Sequence, residues 1–337
     1  MLPASSPLNP SPDSLLAFIG AIILACLVSL VPQGDARAQY PTRALRLLVP
    51  AGPGDGTDVV ARLVARPLAD ALGQPVVIEN RPGAGGSIAG AQLSTAPADG
   101  HTLMLVNGSS HGVTPGLYAN LPYDSVRDTA PISLIAVSPN LLVVNPAHPA
   151  TTLAEFLAWA RSHPGKADIA SAGNGSLSHL SVEMFRRQAQ IDAVNVGYKA
   201  AAPALTDLMA GQVSAMIINI PSTLALVKAG RLRALASTGS RRTPLLPDVP
   251  TLAEGGLAGY ETLAWFGLAA PARTPVAIVQ RLNAEMLRTL ARADIREQLA
   301  TTGAEPAGGT PEAFGAFIQA EITKYTRVIR ESGIRVE

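Results

Sequence analysis

Short apolar runs alternate with helical patterns from about residue 45 onward. Apolar residues dominate each run, as in strands buried on both faces, whereas in the intervening segments they recur every three or four positions. The first five segments are LRLLVP (45–50), a helical pattern over 58–72, PVVIEN (75–80), a second helical pattern over 87–94, and HTLMLVN (101–107). This order predicts a parallel sheet covered by helices.

A second set of strand and helix patterns follows, and it predicts a second, smaller α/β layer. Its strand-like runs are ISLIAV (132–137), NLLVVNP (140–146), ADIASAG (167–173), AVNVGY (193–198), VSAMIINI (213–220) and RLRALASTG (231–239). Helical patterns lie between them at 152–164, 178–190 and 202–211, and two amphipathic helices are expected near 275–292 and 311–331.

Together the two sets predict an α/β protein of two lobes, with two mainly parallel sheets and a ligand cleft between the lobes. We expect residues 39–138 and 236–337 to form lobe 1, and residues 139–235 to form lobe 2. The crossing segments are expected near 131–146 and 231–240.

The N-terminal region has the pattern of an export signal. The apolar segment 15–31 is followed by Ala36-Arg37-Ala38, a small-x-small cleavage motif, so residues 1–38 are predicted to be a signal peptide cleaved after Ala38. The region before the segment contains Asp13 and no Lys or Arg, and a single membrane anchor is the alternative. The only cysteine, Cys26, lies within this segment, so the mature chain would contain neither a disulfide nor a thiol nucleophile.

The composition argues against several classes of protein. The formal net charge of the 337 residues is +1, so no nucleic-acid surface is expected and a charged ligand must be recognised locally. The five histidines are scattered without the spacing of zinc ligands. We therefore expect neither a metal nor a cofactor.

Two glycine-rich corners carry the candidate chemistry. They are AGPGDGTD (51–58) and SAGNGSLSH (171–179), and each stands between a strand and a helix. Glycines let the backbone approach a bound group, and the first turn of a helix presents free N–H groups, so an anion is the natural guest. If two lobes face each other, both corners converge on one carboxylate. Either corner alone could also be an ordinary turn in which Asp58 or Ser178 only caps a helix.

A dinucleotide site is one competing interpretation of the first corner. Gly52-x-Gly54 follows a strand, and Glu79 stands about the right distance further on. Thr57 occupies the position of the third glycine, and an export signal argues against a soluble dinucleotide.

A hydrolase is the competing interpretation of the second corner. Ser176 or Ser178 lies near His179, but the Gly-x-Ser-x-Gly elbow of a nucleophilic serine is missing. His179, in the first turn of a helix, could donate to a carboxylate or simply pack. Asn107, at the end of a strand, is expected to line the cleft. An exported enzyme, either a serine hydrolase or nucleotide-dependent, therefore remains the alternative function.

Long phrases of the chain resemble the Bug-type periplasmic receptors of tripartite tricarboxylate transporters over about residues 40–333. The phrases are YPTRALRLLVPAGPGDGTD, LGQPVVIENRPGAGGSIAGA, PADGHTLML, ASAGNGSLSHLSVEMF, VGYKAAAPALTDLMAGQV, RLRALASTGSRR, PDVPTLAE and WFGLAAPARTP. The resemblance implies a type II, Venus-flytrap periplasmic binding protein, monomeric, that captures a small carboxylate and passes it to membrane permease subunits. It implies ligand contacts from Gly54, Gly56, Thr57 and Asp58 in the first corner, and from Gly175, Ser176 and His179 in the second.

The chain also departs from the family pattern. Asp55 stands where a glycine is usual, and its carboxylate would repel an anionic guest unless it points away or meets a cationic part of the ligand. In the phrase around VNVGYKA, Asn195, Gly197 and Ala200 replace the usual residues, whereas Tyr198 is retained. We include Asp55, Asn107 and Tyr198 among the expected ligand-binding residues.

Overall fold

The computed structural model describes residues 40–334, and the predicted signal peptide lies outside these described residues. The strands are β1 (Leu45–Val49), β2 (Val76–Asn80), β3 (Thr102–Asn107), β4 (Thr129–Val144), β5 (Ala167–Ser171), β6 (Ala193–Gly197), β7 (Ala215–Asn219), β8 (Arg233–Ser237), β9 (Leu263–Pro271) and β10 (Glu305–Pro306). The helices are α1 (Gly56–Leu72), α2 (Ser87–Ser94), α3 (Thr114–Leu117), α4 (Leu153–Ser162), α5 (Leu177–Gln188), α6 (Ala201–Met209), α7 (Ile220–Lys228), α8 (Val276–Ala291), α9 (Ala293–Thr302) and α10 (Pro311–Ser332).

The strands form one mixed sheet in the order β2-β1-β3-β9-β4-β7-β5-β6, and β8 and β10 pair with β4. Parallel pairing occurs at the two ends, where β1 pairs with β2 and β3, and β5 pairs with β6 and β7. The centre is antiparallel, because β9 and β4 pair with each other and with the strands beside them. The two mainly parallel sheets expected from the sequence are thus the ends of one continuous sheet.

The 16-residue strand β4 connects the two ends. Its first part, as far as Pro139, pairs with β9, and from Asn140 onward it pairs with β7 and β8. The sequence predicted two separate strands here. Proline has no N–H to donate to a neighbouring strand, and Pro139 lies where β4 changes partners, so the strand continues through it.

The apolar run at the end of β4 is buried on both faces. Leu142 and Val144 pack in one core cluster with Phe156 of α4, whereas Leu141 and Val143 pack in another. This alternation follows from the period of two in a strand, and it explains why the run LLVV contains no polar residue.

Three helices were not predicted, namely the short α3, α7 and α9. Helix α7 begins directly after β7, with Asn219 as its N-cap and Pro221 in its first turn. Helix α9 is separated from α8 by Arg292, whose extended backbone ends one helix and begins the next. No helix among residues 40–334 is long and apolar enough to cross a membrane.

Candidate functional site

A cavity of about 700 Å³ lies where the glycine corners meet. Its volume is within the range of small-molecule sites, about 300–1,000 Å³. Asp55 and Thr57 of the first corner, Ser176 and Ser178 of the second, and the glycine-rich loop 82–86 line its wall. The segment 197–201, between β6 and α6, closes another side.

Asp55 is the N-cap of α1 and lines the cavity with 9% of its surface exposed. Its Oδ1 accepts a 2.8 Å hydrogen bond from the Thr57 backbone N–H, and the Thr57 side chain also bonds to the carboxylate. The Thr57 hydroxyl oxygen accepts a 3.1 Å bond from Asn107 Nδ2, which leaves the hydroxyl hydrogen to donate to Asp55. Burial raises the pKa of Asp55, and the bonds from Thr57 oppose that shift.

Asp58 holds the first corner in shape and does not line the cavity. Its Oδ2 accepts bonds from the Gly54 N–H (3.0 Å) and from Arg62 Nε (2.9 Å), and its Oδ1 accepts one from Asn80 (2.9 Å). Burial alone would raise the pKa of Asp58, but these bonds to the charged form outweigh it and lower the pKa below its usual value.

Gly56 joins the first corner to α7. Its N–H donates a 2.7 Å bond to Ser222 Oγ, and a methyl group added at Gly56 would overlap the side-chain amide of Asn219. In this conformation the N–H groups of Gly54 and Gly56, expected to face a ligand, are therefore bonded within the protein.

Ser176 and His179 organise the second corner. Ser176 caps α5 by accepting from the His179 backbone N–H (3.1 Å), and its hydroxyl donates to the Gly173 carbonyl (2.6 Å). His179 Nδ1 accepts from the Gly175 N–H (3.2 Å), so the ring is neutral with its proton on Nε2. Burial lowers the pKa of His179 in the same direction. The Ser176 hydroxyl thus bonds to a carbonyl and not to the histidine ring, and the pair lacks the arrangement of a nucleophile and its base.

Further contacts connect segments on opposite sides of the cavity. Ser109 Oγ accepts from the Leu177 N–H (3.0 Å), and the Tyr118 hydroxyl donates to the Asn174 carbonyl (3.3 Å). A methyl group at Gly85 would lie 2.7 Å from the Gly175 carbonyl oxygen, so only glycine lets these loops approach so closely.

Tyr198 and Trp265 contribute aromatic surface. Both line the cavity while their polar atoms bond outside it: the Tyr198 hydroxyl donates to Asp207 Oδ2 (2.7 Å), and Trp265 Nε1 donates to Glu321 Oε2 (3.1 Å). Desolvation and the bond to the Asp207 carboxylate raise the pKa of Tyr198 to about 12, so its hydroxyl stays protonated.

The structure divides the sequence-predicted residues into two groups. Those that line the cavity are Asp55, Thr57, Asn107, Ser176 and Tyr198, and those that support the corners from behind are Gly54, Gly56, Asp58, Gly175 and His179. Sequence reasoning missed several lining or bridging residues, namely the loop 82–86, Ser109, Asn140 and Ser222. Asn219, near the end of the strand-like run 213–220, was open to two interpretations, lining the cleft or bonding to neighbouring loops, and it lines the cavity. The sequence GAGG (83–86), which follows β2 after two residues, was a usable signal for the loop, because it repeats the glycine-rich strand end of the other corners.

Known proteins share both the sequence and the fold. A family model described as tripartite tricarboxylate transporter family receptor (TctC) matches residues 60–334. The solved structure of Rpa4515 from R. palustris with adipate has a TM-score of 0.86 and 38% identity, and it covers 88% of this chain and 99% of its own. The periplasmic binding protein BugD has a TM-score of 0.85 and 31% identity, with 88% and 100% covered.

A further solved structure is MatC from Rhodopseudomonas palustris with bound malate. It has a TM-score of 0.82 and 36% identity, and it covers 86% of this chain and 100% of its own. These likenesses confirm the predicted two-lobed α/β binding-protein fold.

Proposed function

This chain belongs to the tripartite tricarboxylate transporter receptor family, and we propose that it is a periplasmic receptor that captures a small organic carboxylate. The observation that carries the proposal is the cavity bounded by both glycine corners. Its family membership supports delivery of the ligand to the permease subunits of such a transporter. The neighbours that hold adipate and malate are of the same fold and support the ligand class.

We assign direct ligand contacts to the residues that line the cavity. Thr57, Asn107 and Ser176 offer hydroxyl and amide groups, and Tyr198 offers a ring face. The five supporting residues keep these groups in place. A small carboxylate can be bound by such neutral donors, each bond to a charged group contributing about 1.5–3 kcal/mol.

The mechanism we propose is closure of two lobes around the ligand. Lobe 1 comprises residues 39–138 and 236–337, and lobe 2 comprises residues 139–235. The bonds from Gly56 to Ser222 and from Leu177 to Ser109 would each join one lobe to the other. A ligand that contacts both lobes stabilises the closed state by the difference between its interactions in the closed and open states.

We propose binding without covalent chemistry. The Ser176 hydroxyl donates to a backbone carbonyl and His179 Nδ1 accepts from a backbone N–H, which disfavours the hydrolase alternative. We further propose that residues 1–38 direct export of the protein and that the mature protein is a monomer.

Thermal unfolding tests this function. The purified protein, freed of bound ligand by unfolding and refolding, is melted with di- and tricarboxylates, amino acids, aromatic acids and NAD, and each mixture is analysed for turnover. A ligand at about a hundred times its dissociation constant adds about 2.7 kcal/mol to the free energy of unfolding. We expect a shift with particular carboxylates and no turnover. A shift with NAD, ester hydrolysis, or no shift with any carboxylate would contradict the proposal.

A further inference from the structure

Asp55 is a buried carboxylate without a cation. It lines the cavity, and only 9% of its surface is exposed. The charged side chain that acts on it is Asp58, itself an anion, whose own charge is paired with Arg62. Within residues 40–334, no ion pair involves Asp55. Buried charges in proteins are normally paired, so we expect a bound ligand in the cavity to supply the cation for Asp55.

Desolvation raises the pKa of Asp55, but the groups that contact its carboxylate act in the opposite direction and favour the charged form. Both groups of Thr57 that reach it are donors, the backbone N–H and the hydroxyl whose oxygen accepts from Asn107. The carboxylate also lies at the start of α1, where the helix dipole favours a negative charge. These interactions orient the carboxylate as an acceptor at the wall of the cavity.

The remaining cavity wall is almost neutral. Among its lining residues, Asp55 and Lys199 alone carry charged side chains, and Lys199 lies in the segment between β6 and α6. A ligand with two carboxylates would bring two negative charges into a site that offers one cation, Lys199, and already holds one carboxylate, Asp55. A ligand with one negative and one positive group is complementary to both side chains.

We propose that the ligand is a small carboxylate that carries a protonated amine, with the ammonium group bound to Asp55. Its carboxylate lies towards the second corner and Lys199. This inference rests on the proposed function, because it names the class of carboxylate that the same cavity takes.

Calorimetric titration with matched ligands tests the inference. The pairs are adipate with 6-aminohexanoate, glutarate with 5-aminopentanoate, and succinate with 4-aminobutanoate, each measured on the wild-type protein and on Asp55→Asn. Asparagine caps a helix as well as aspartate does, so the change removes the charge and keeps the cap. Asp55→Ser is a second variant that keeps a capping oxygen. Asp124→Asn is the matched control, since the Asp124 carboxylate accepts bonds from two backbone N–H groups but does not line the cavity.

We expect at least one amine-bearing carboxylate to bind the wild-type protein tenfold or more tightly than its dicarboxylate partner. Asp55→Asn and Asp55→Ser should each reduce that ratio at least tenfold, and Asp124→Asn should leave it unchanged. Tighter binding of dicarboxylates by the wild-type protein, or an unchanged ratio in both Asp55 variants, would overturn the inference and leave the proposed function intact. Failure of both ligand classes to bind would overturn both.

Discussion

The backbone N–H of Gly56 lies 2.7 Å from the hydroxyl oxygen of Ser222, a residue 166 positions further along the chain. The same hydroxyl donates to Asn219 Oδ1 at 2.9 Å, and Asn219 in turn caps α7. The first turn of α1 and the first turn of α7 are thereby joined directly beside the cavity. A side chain added at Gly56 would therefore interfere with the approach of these two helix starts.

Replacement of Gly56 by alanine should prevent the first corner from closing against α7. The added methyl group would overlap the side-chain amide of Asn219, so the two segments must separate. We expect ligand affinity to fall at least tenfold in calorimetric titrations, while the unliganded protein loses little stability. Gly315→Ala, a similar change within α10, serves as the control. Wild-type affinity in Gly56→Ala would show that this contact is not needed for binding.

Stability and ligand binding should depend on the hydroxyl group of Thr57 and not on its methyl group. Thr57→Val keeps the shape of the side chain but leaves Asn107 Nδ2 without its 3.1 Å acceptor, a loss of about 1–3 kcal/mol in unfolding experiments. We also expect weaker ligand binding, because Asp55 and Asn107 lose the group that connects them. Thr57→Ser keeps the hydroxyl and should restore both properties. If serine and valine behave alike, the hydroxyl has no such role.

Buried His111 should make the protein less stable in acid. Its ring nitrogens contact Ser110 Oγ (3.0 Å) and Thr129 Oγ1 (3.2 Å), and burial lowers its pKa from 6.5 to about 3. Between these values the unfolded chain binds a proton that the folded chain does not, so the stability due to His111 falls as pH falls from 6.5 towards 3. Urea unfolding of His111→Gln should show a shallower fall over this range. The same change at exposed His163 is the control, and an identical slope in wild type and His111→Gln would refute the prediction.

Glu79 should stabilise the first part of the sheet at neutral pH but not in strong acid. Arg46 donates two bonds to its carboxylate, at 2.7 and 2.9 Å, and with Arg81 lowers the pKa of Glu79 from 4.5 to about 2. A lowered folded-state pKa gives stability that is complete above 4.5 and is lost as pH falls towards 2. Glu79→Gln should therefore cost about 1 kcal/mol at pH 7, at the upper end for a partly exposed pair. The difference from wild type should disappear near pH 2, and a constant difference would contradict this account.

Local sequence patterns predicted the parts of the site that are local in the chain. The glycine corners, with Thr57 and Ser176 at helix starts, were visible because strand, glycines and capping residue are consecutive. The bond between Gly56 and Ser222 was not visible, since the two residues are 166 positions apart and a single chain carries no signal of that pairing. Strand direction was hidden for the same reason, and the central antiparallel pair β4 and β9 could not be derived from apolar runs.

The predicted and observed elements also differ at one proline and at one arginine. Pro139 lies between the two strand-like runs predicted at 132–137 and 140–146, whereas in the structure it lies within β4, where pairing changes from β9 to β7 and β8. Arg292 carried no breaker signal, yet its extended backbone separates α8 from α9. In both places tertiary pairing decides the local structure.

The central claim, that the cavity binds a small carboxylate, is tested most directly by isothermal titration calorimetry of the ligand-free protein. We predict a saturable binding heat with one ligand per chain for at least one small carboxylate, reduced at least tenfold in affinity by Gly56→Ala. The absence of binding heat for every dicarboxylate, tricarboxylate and amine-bearing carboxylate tested, at more than one temperature, would contradict the account.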